Sequence, residues 1–106
     1  MAWILLFVAG LFEMAWALFL KQSDGLTRPL PTTAFVVTLA ISMGLLAQSL
    51  KTLPVGTAYA IWTGIGAAGT AIVGMIWLGE PRDLLKIISL ALLIAGIIGL
   101  RLTSSE

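Results

Sequence analysis

The chain has 106 residues, of which 59% are hydrophobic and 10% charged, and its formal net charge is +1. A soluble domain of this length has too little interior to hide that much apolar surface, and a near-neutral chain offers little to a phosphate backbone. A soluble fold and a nucleic-acid partner are thereby set aside. With no cysteine and no histidine, the sequence also lacks the means for disulfides, thiolate or imidazole metal sites, Ser–His catalysis and histidine proton relays.

Apolar blocks run over 3–20, 31–50, 54–78 and 84–102. Each is about 18 to 25 residues long, and about 20 helical residues cross a bilayer core. The pattern predicts an all-α integral membrane protein, a single four-helix transmembrane domain over 1–106 with the lipid bilayer as its solvent.

The first block carries the stretch "LFEMAW" (11–16), which places Glu13 in the middle of an apolar run. The small-x-small "AWA" (15–17) imitates a signal-peptide cleavage site. The block has no basic start, however, and an acid interrupts its apolar core, so it is expected to stay as a span. An ionisable group at that depth is a functional site by default. The plainer reading is a protonated acid that glues helices together. No basic residue lies mid-span to pair with it, which favours the functional reading. Gly10 and Trp16 stand three residues to either side of Glu13 and share its helix face.

The loop "KQSDGLTRP" (21–29) holds a Ser-Asp-Gly turn, and Pro29 and Pro31 then start the next helix. In the second block Ser42 is a mid-membrane hydroxyl, although a serine often bonds only its own helix backbone. "KTLP" (51–54) sets Pro54 at the start of the third block. That block carries "AYAIWTGIG" (58–66), with Tyr59 and Trp62 three apart on one face. Trp3 and Trp77 lie near span ends, as interfacial aromatics do, whereas Trp16 and Trp62 lie well inside. A carboxylate, aromatic faces and hydroxyls together suit a cation. Gly64, Gly66 and Gly69 crowd the centre of the third block, either as a hinge for alternating access, assigned to Gly64 and Gly66, or as close-packing sites.

"GEPRD" (79–83) forms the third connection, with Gly79 ending a helix and Asp83 placed to cap the next. The fourth block has neither acid nor aromatic. Its Ser89 and Gly96 fall on one stripe of small residues, which suits contact with a second copy. The tail "TSSE" (103–106) is a polar end.

Four spans put both termini on one side. Lys51 and Arg101 then share one face of the membrane, while Lys21, Arg28, Arg82 and Lys86 share the other. This bias is mild and permits insertion in both directions. Transporters commonly build a midplane site from inverted repeats, and this chain is too short to hold two. An antiparallel, dual-topology homodimer would supply them from one sequence. A shared acid would then let proton and cation displace each other, so that a proton gradient drives the cation out.

"LFEMAW", "LPVGTAYAIWTGIG" (53–66), "SDGLTRP" (23–29) and "GIIGLRL" (96–102) together give the chain an end-to-end resemblance to the small multidrug resistance family. Glu13 followed by Trp16, and "WTGIGA" (62–67), resemble the guanidinium-exporting branch (Gdx/SugE) of that family. Arg101 keeps the cationic character of a position that is lysine in that branch. The resemblance implies a proton-coupled antiporter of the bacterial inner membrane that exports guanidinium, with small substituted guanidiniums or single-tailed ammonium cations as further substrates. It requires no cofactor or metal and is not an enzyme. The resemblance also implies that Glu13 binds substrate or proton, that Trp16 lines the pocket, and that Ser42 and Trp62 hydrogen-bond the Glu13 carboxylate with Tyr59 close by; Gly10 joins the pocket by its place on the Glu13 face. The planar cation itself fits this reading, because its N–H groups meet a carboxylate bidentately and its face lies on aromatic rings. The rivals are an exporter of bulky quaternary ammonium cations and a non-transporting membrane scaffold.

Overall fold

A computed structural model describes residues 1–103. Residues 104–106 of the polar tail lie outside the described part. The described chain is all-helical: α1 (Ala2–Gln22), α2 (Pro29–Ser49), α3 (Val55–Trp77) and α4 (Leu84–Thr103). Each helix is long and apolar enough to cross a membrane. At 1.5 Å per residue, the 21 residues of α1 rise about 31 Å, close to the thickness of a hydrocarbon core.

The connections follow their residue chemistry. After α1 the buried Ser23 closes the turn, its Oγ donating to the Leu20 carbonyl at 2.6 Å and accepting from the Leu26 N–H at 3.1 Å. Asp24, Gly25 and Leu26 all take positive φ there, at 50°, 73° and 70°. Pro29 opens α2, where its missing N–H costs no helical bond. Pro54 precedes α3 in extended conformation. Gly79, at φ 71°, ends α3 in the left-handed region, and the Glu80 N–H donates back to the Gly74 carbonyl at 3.0 Å. The Asp83 carbonyl accepts the Ile87 N–H at 3.1 Å as α4 begins.

In space the helices run α2–α1–α3–α4: α1 packs between α2 and α3, and α4 packs against α3. The molecule measures 43 × 35 × 17 Å. α4 packs along α3 alone and closes against neither α1 nor α2 as a helix pair. The helices therefore form a slab, not a closed bundle. The core lies where α1, α2 and α3 meet, with Leu6, Ala9, Leu46, Leu53, Ala58, Ile61 and Trp62 buried together. Among the described residues α4 buries none. At one end of the slab the Arg101 guanidinium lies 4.4 Å above the Trp3 ring, which brings the start of α1 and the end of α4 together. Trp77, 74% exposed, marks the end of α3 as an interfacial aromatic.

Candidate functional site

The α1–α3 contact is made by small residues that receive large ones. Gly10 lies against Ile65, Gly66 against Glu13 and Gly69 against Met14. A Cβ would fall 2.6 Å from Ile65 Cγ2, 2.7 Å from Glu13 Cγ and 2.7 Å from Met14 Sδ, respectively. Without a side chain on α3 at position 66, the Glu13 side chain reaches into the helix–helix seam. The crowded glycines of α3 thus lie at close approaches, on a helix that is continuous from Val55 to Trp77. Gly64 does the same toward α4, where a Cβ would meet Ile97 Cδ1 at 2.8 Å.

A cleft of about 240 Å³ opens beside this seam, lined by Glu13, Trp16 and Ala17 of α1 and by Thr63, Gly66, Ala67 and Thr70 of α3. The α3 residues fall at i, i+3, i+4 and i+7, one stripe of a helix. Glu13 Oε1, Trp16 Nε1 and Thr63 Oγ1 are buried and have no hydrogen-bond partner among the described residues. The Trp16 ring packs edge-on against Phe35 of α2, with centroids 5.8 Å apart. A carboxylate oxygen, an indole N–H and a hydroxyl therefore share one small cleft with their hydrogen-bonding capacity unspent.

The other expected site residues are placed differently. Ser42 and Trp62 do bond, but to each other and not to Glu13. Trp62 Nε1 donates to Ser42 Oγ at 2.9 Å, and Ser42 Oγ donates to the Ala9 carbonyl at 2.7 Å. Within an α-helix that carbonyl also receives the N–H of residue 13. The pair therefore grips α1 one turn before Glu13. Tyr59 stacks at a tilt on Trp62, centroids 5.7 Å apart, yet is 56% exposed and stands away from the Glu13 cleft. Gly10 faces Ile65 and does not line the cleft. Ser89 and Gly96 lie on the exposed surface of α4: Ser89 Oγ donates to its own Leu85 carbonyl at 2.8 Å, and nothing stands within 4 Å of a Cβ at Gly96.

Thr63 and Thr70 were not picked out by sequence reasoning. The available signal was their spacing with Gly66 and Ala67, which needs the neighbouring helix to give it meaning. A second cleft, about 290 Å³ and almost wholly apolar, lies between α1, α3 and α4 below Arg101.

A slab of four membrane-crossing helices, with an unpaired carboxylate held in the seam between two of them, defines a multi-pass membrane protein with an ionisable site inside the bilayer. The family model described as Small Multidrug Resistance protein matches residues 1–93, and the chain belongs to that family. The family is one of transporters, not enzymes, and the chain is a multi-pass protein of the bacterial inner membrane. Curated relatives named "Guanidinium exporter" are similar over the whole length. The protein of Yersinia pseudotuberculosis serotype I (strain IP32953) is 56% identical over 104 residues, covering 98% of this chain and 100% of the relative. That of Proteus vulgaris is 53% identical with the same coverage. That of Escherichia coli (strain K12) is 51% identical, covering 98% and 99%.

Proposed function

We infer that this chain exports guanidinium in exchange for protons, by alternating access, as an antiparallel homodimer in which proton and cation compete for Glu13. The observation that carries the reading is the Glu13 carboxylate itself: half-buried in a span with one oxygen fully buried, unpaired, and opening on a cleft with an aromatic wall. Relatives at 51–56% identity named for guanidinium export support the choice of substrate. A planar cation with N–H donors fits a carboxylate flanked by tryptophan.

In this reading residues 1–106 act as one four-helix unit. Glu13 binds substrate or proton, and Trp16 lines the pocket. Ser42 and Trp62 position α1, and through it the carboxylate, by holding the Ala9 carbonyl. Tyr59, exposed on one chain, faces the cavity that a second chain completes. Gly64 and Gly66 are the points about which α3 shifts, and Ser89 and Gly96 contact the partner's α4.

The test is guanidinium exchange in liposomes containing the purified protein. An imposed proton gradient drives cation flux in wild type, and Glu13→Gln abolishes it, because an amide neither holds the cation's charge nor exchanges a proton. Because the protonated acid is neutral and cannot pair with the cation, guanidinium affinity weakens as pH falls, by up to about tenfold per unit for each proton displaced. A pH-independent affinity, or flux retained in Glu13→Gln, refutes the mechanism. Flux of a quaternary ammonium cation with none of guanidinium refutes the substrate.

A further inference from the structure

Of the three buried polar atoms left without partners in the Glu13 cleft, Thr63 Oγ1 is the one hydroxyl. A helical serine or threonine ordinarily spends its hydroxyl on the carbonyl three or four residues back. This chain follows that rule repeatedly. Thr33 donates to Pro29 at 2.9 Å, Thr38 to Ala34 at 2.7 Å, Ser49 to Leu46 at 2.7 Å and Ser89 to Leu85 at 2.8 Å. The α3 threonines Thr57, Thr63 and Thr70 make no such bond, and of these Thr63 is the one whose hydroxyl is buried. Thr32, the other buried hydroxyl without a partner, lies in the first turn of α2, outside this cleft.

The chemistry of the three atoms separates their roles. An indole N–H only donates, so Trp16 Nε1 has nothing to offer a cation that is itself all donors. Glu13 and Thr63 can accept. A guanidinium carries N–H groups on every edge of its plane, more than one carboxylate can satisfy. We propose that Thr63 is a direct substrate contact, its Oγ1 accepting an N–H of the planar cation on the α3 side of the cleft while Glu13 accepts from the α1 side. This rests on the guanidinium-export reading and deepens it: Thr63 sharpens the site's choice of cations that bear N–H groups. The methyl of Thr63 keeps its place on the α3 stripe, and the hydroxyl adds to the selectivity that the carboxylate already exerts.

The experiment compares wild type, Thr63→Val and Thr63→Ser as full-length protein in liposomes, with guanidinium and with a fully N-methylated guanidinium. Valine keeps the shape and removes the acceptor. Thr63→Val raises KM for guanidinium about tenfold, the loss expected for one hydrogen bond to a charged group, while maximal rate falls far less. It narrows the preference for guanidinium over the methylated cation, read as the ratio of their KM values, by about the same tenfold, while the part exerted by Glu13 remains. Thr63→Ser restores the hydroxyl and brings guanidinium KM back to within about twofold of wild type. The proposal is overturned if Thr63→Val leaves guanidinium KM unchanged, or if serine and valine weaken it equally, since the methyl and not the hydroxyl then matters. Should valine compromise folding, Thr63→Ser and Thr63→Ala are compared by the same KM ratio, and a ratio unchanged in Thr63→Ala overturns it too. Wild type that exchanges no guanidinium brings down both the export reading and this inference. Normal wild-type exchange with an indifferent Thr63→Val brings down this inference alone.

Discussion

At the scale of single residues, the site depends on what is missing at position 66. A Cβ there would fall 2.7 Å from Glu13 Cγ and run into the carboxylate beyond it. The acid has its backbone anchored in α1 and no spare room in the seam, so Gly66→Ala displaces the binding group itself. At Gly69 the obstructing atom is Met14 Sδ, near the end of a flexible thioether that can swing away. Guanidinium exchange in liposomes is therefore expected to fall by an order of magnitude or more in Gly66→Ala and by only about twofold in Gly69→Ala. Equal effects would show that the carboxylate's seat is not what position 66 protects. Glu13 was legible in the sequence because a charge in an apolar run is costly and thus conspicuous. Thr63 was not. A threonine in a helix is chemically quiet until its own backbone fails to satisfy it, and that failure is visible only when α1 and α3 are placed together.

At the scale of elements, the four spans and their connecting turns follow from hydropathy, Pro29, Pro54 and Gly79, and the helices begin and end within about two residues of the apolar blocks. Periodicity assigns faces within a helix, so the pairing of Tyr59 with Trp62 was readable. Which hydroxyl meets which acceptor across helices was not, and Ser42 illustrates the gap. It was expected at the carboxylate and instead ties α2 to α1 at Ala9 while accepting from Trp62 of α3. One hydroxyl thus joins three helices in a fully buried position. Removing it leaves the Trp62 indole N–H without an acceptor in the core, and the Ala9 carbonyl loses its second donor. Ser42→Ala is expected to destabilise the fold by about 1–3 kcal/mol and Ser42→Thr by much less. Equilibrium unfolding in mixed micelles measures this directly, and an Ala variant as stable as wild type would mean the three-helix junction is held by packing alone.

At the scale of the whole molecule, the 17 Å thickness is the telling dimension. An open slab, with α4 packed along α3 alone, does not close around a cation, and it leaves α4 with no buried residue among those described. In lipid this exposure costs nothing by itself, since acyl chains are as apolar as leucine. A partner is therefore argued from shape and small-residue packing, not from exposed oil. The stripe through Ser89 and Gly96 offers that packing. A Cβ at Gly96 has no neighbour within 4 Å in its own chain, so the side chain of Gly96→Leu starts into open space and acts chiefly on whatever lies across from it. If α4 packs on α4 of a second copy, the larger side chain holds the helices apart. Dimerisation in the bilayer, followed by single-molecule photobleaching over a range of protein-to-lipid ratios, is then expected to weaken about tenfold, the effect of roughly 1.4 kcal/mol of lost packing. Guanidinium flux falls in step with the dimer fraction, while the Trp62–Ser42 hydrogen bond, which position 96 does not touch, is retained. A Gly96→Leu protein that dimerises as wild type does would move the interface off this stripe. A Gly96→Leu protein that is monomeric yet fully active would remove the need for a partner and leave the cleft beside Glu13 to carry transport by itself.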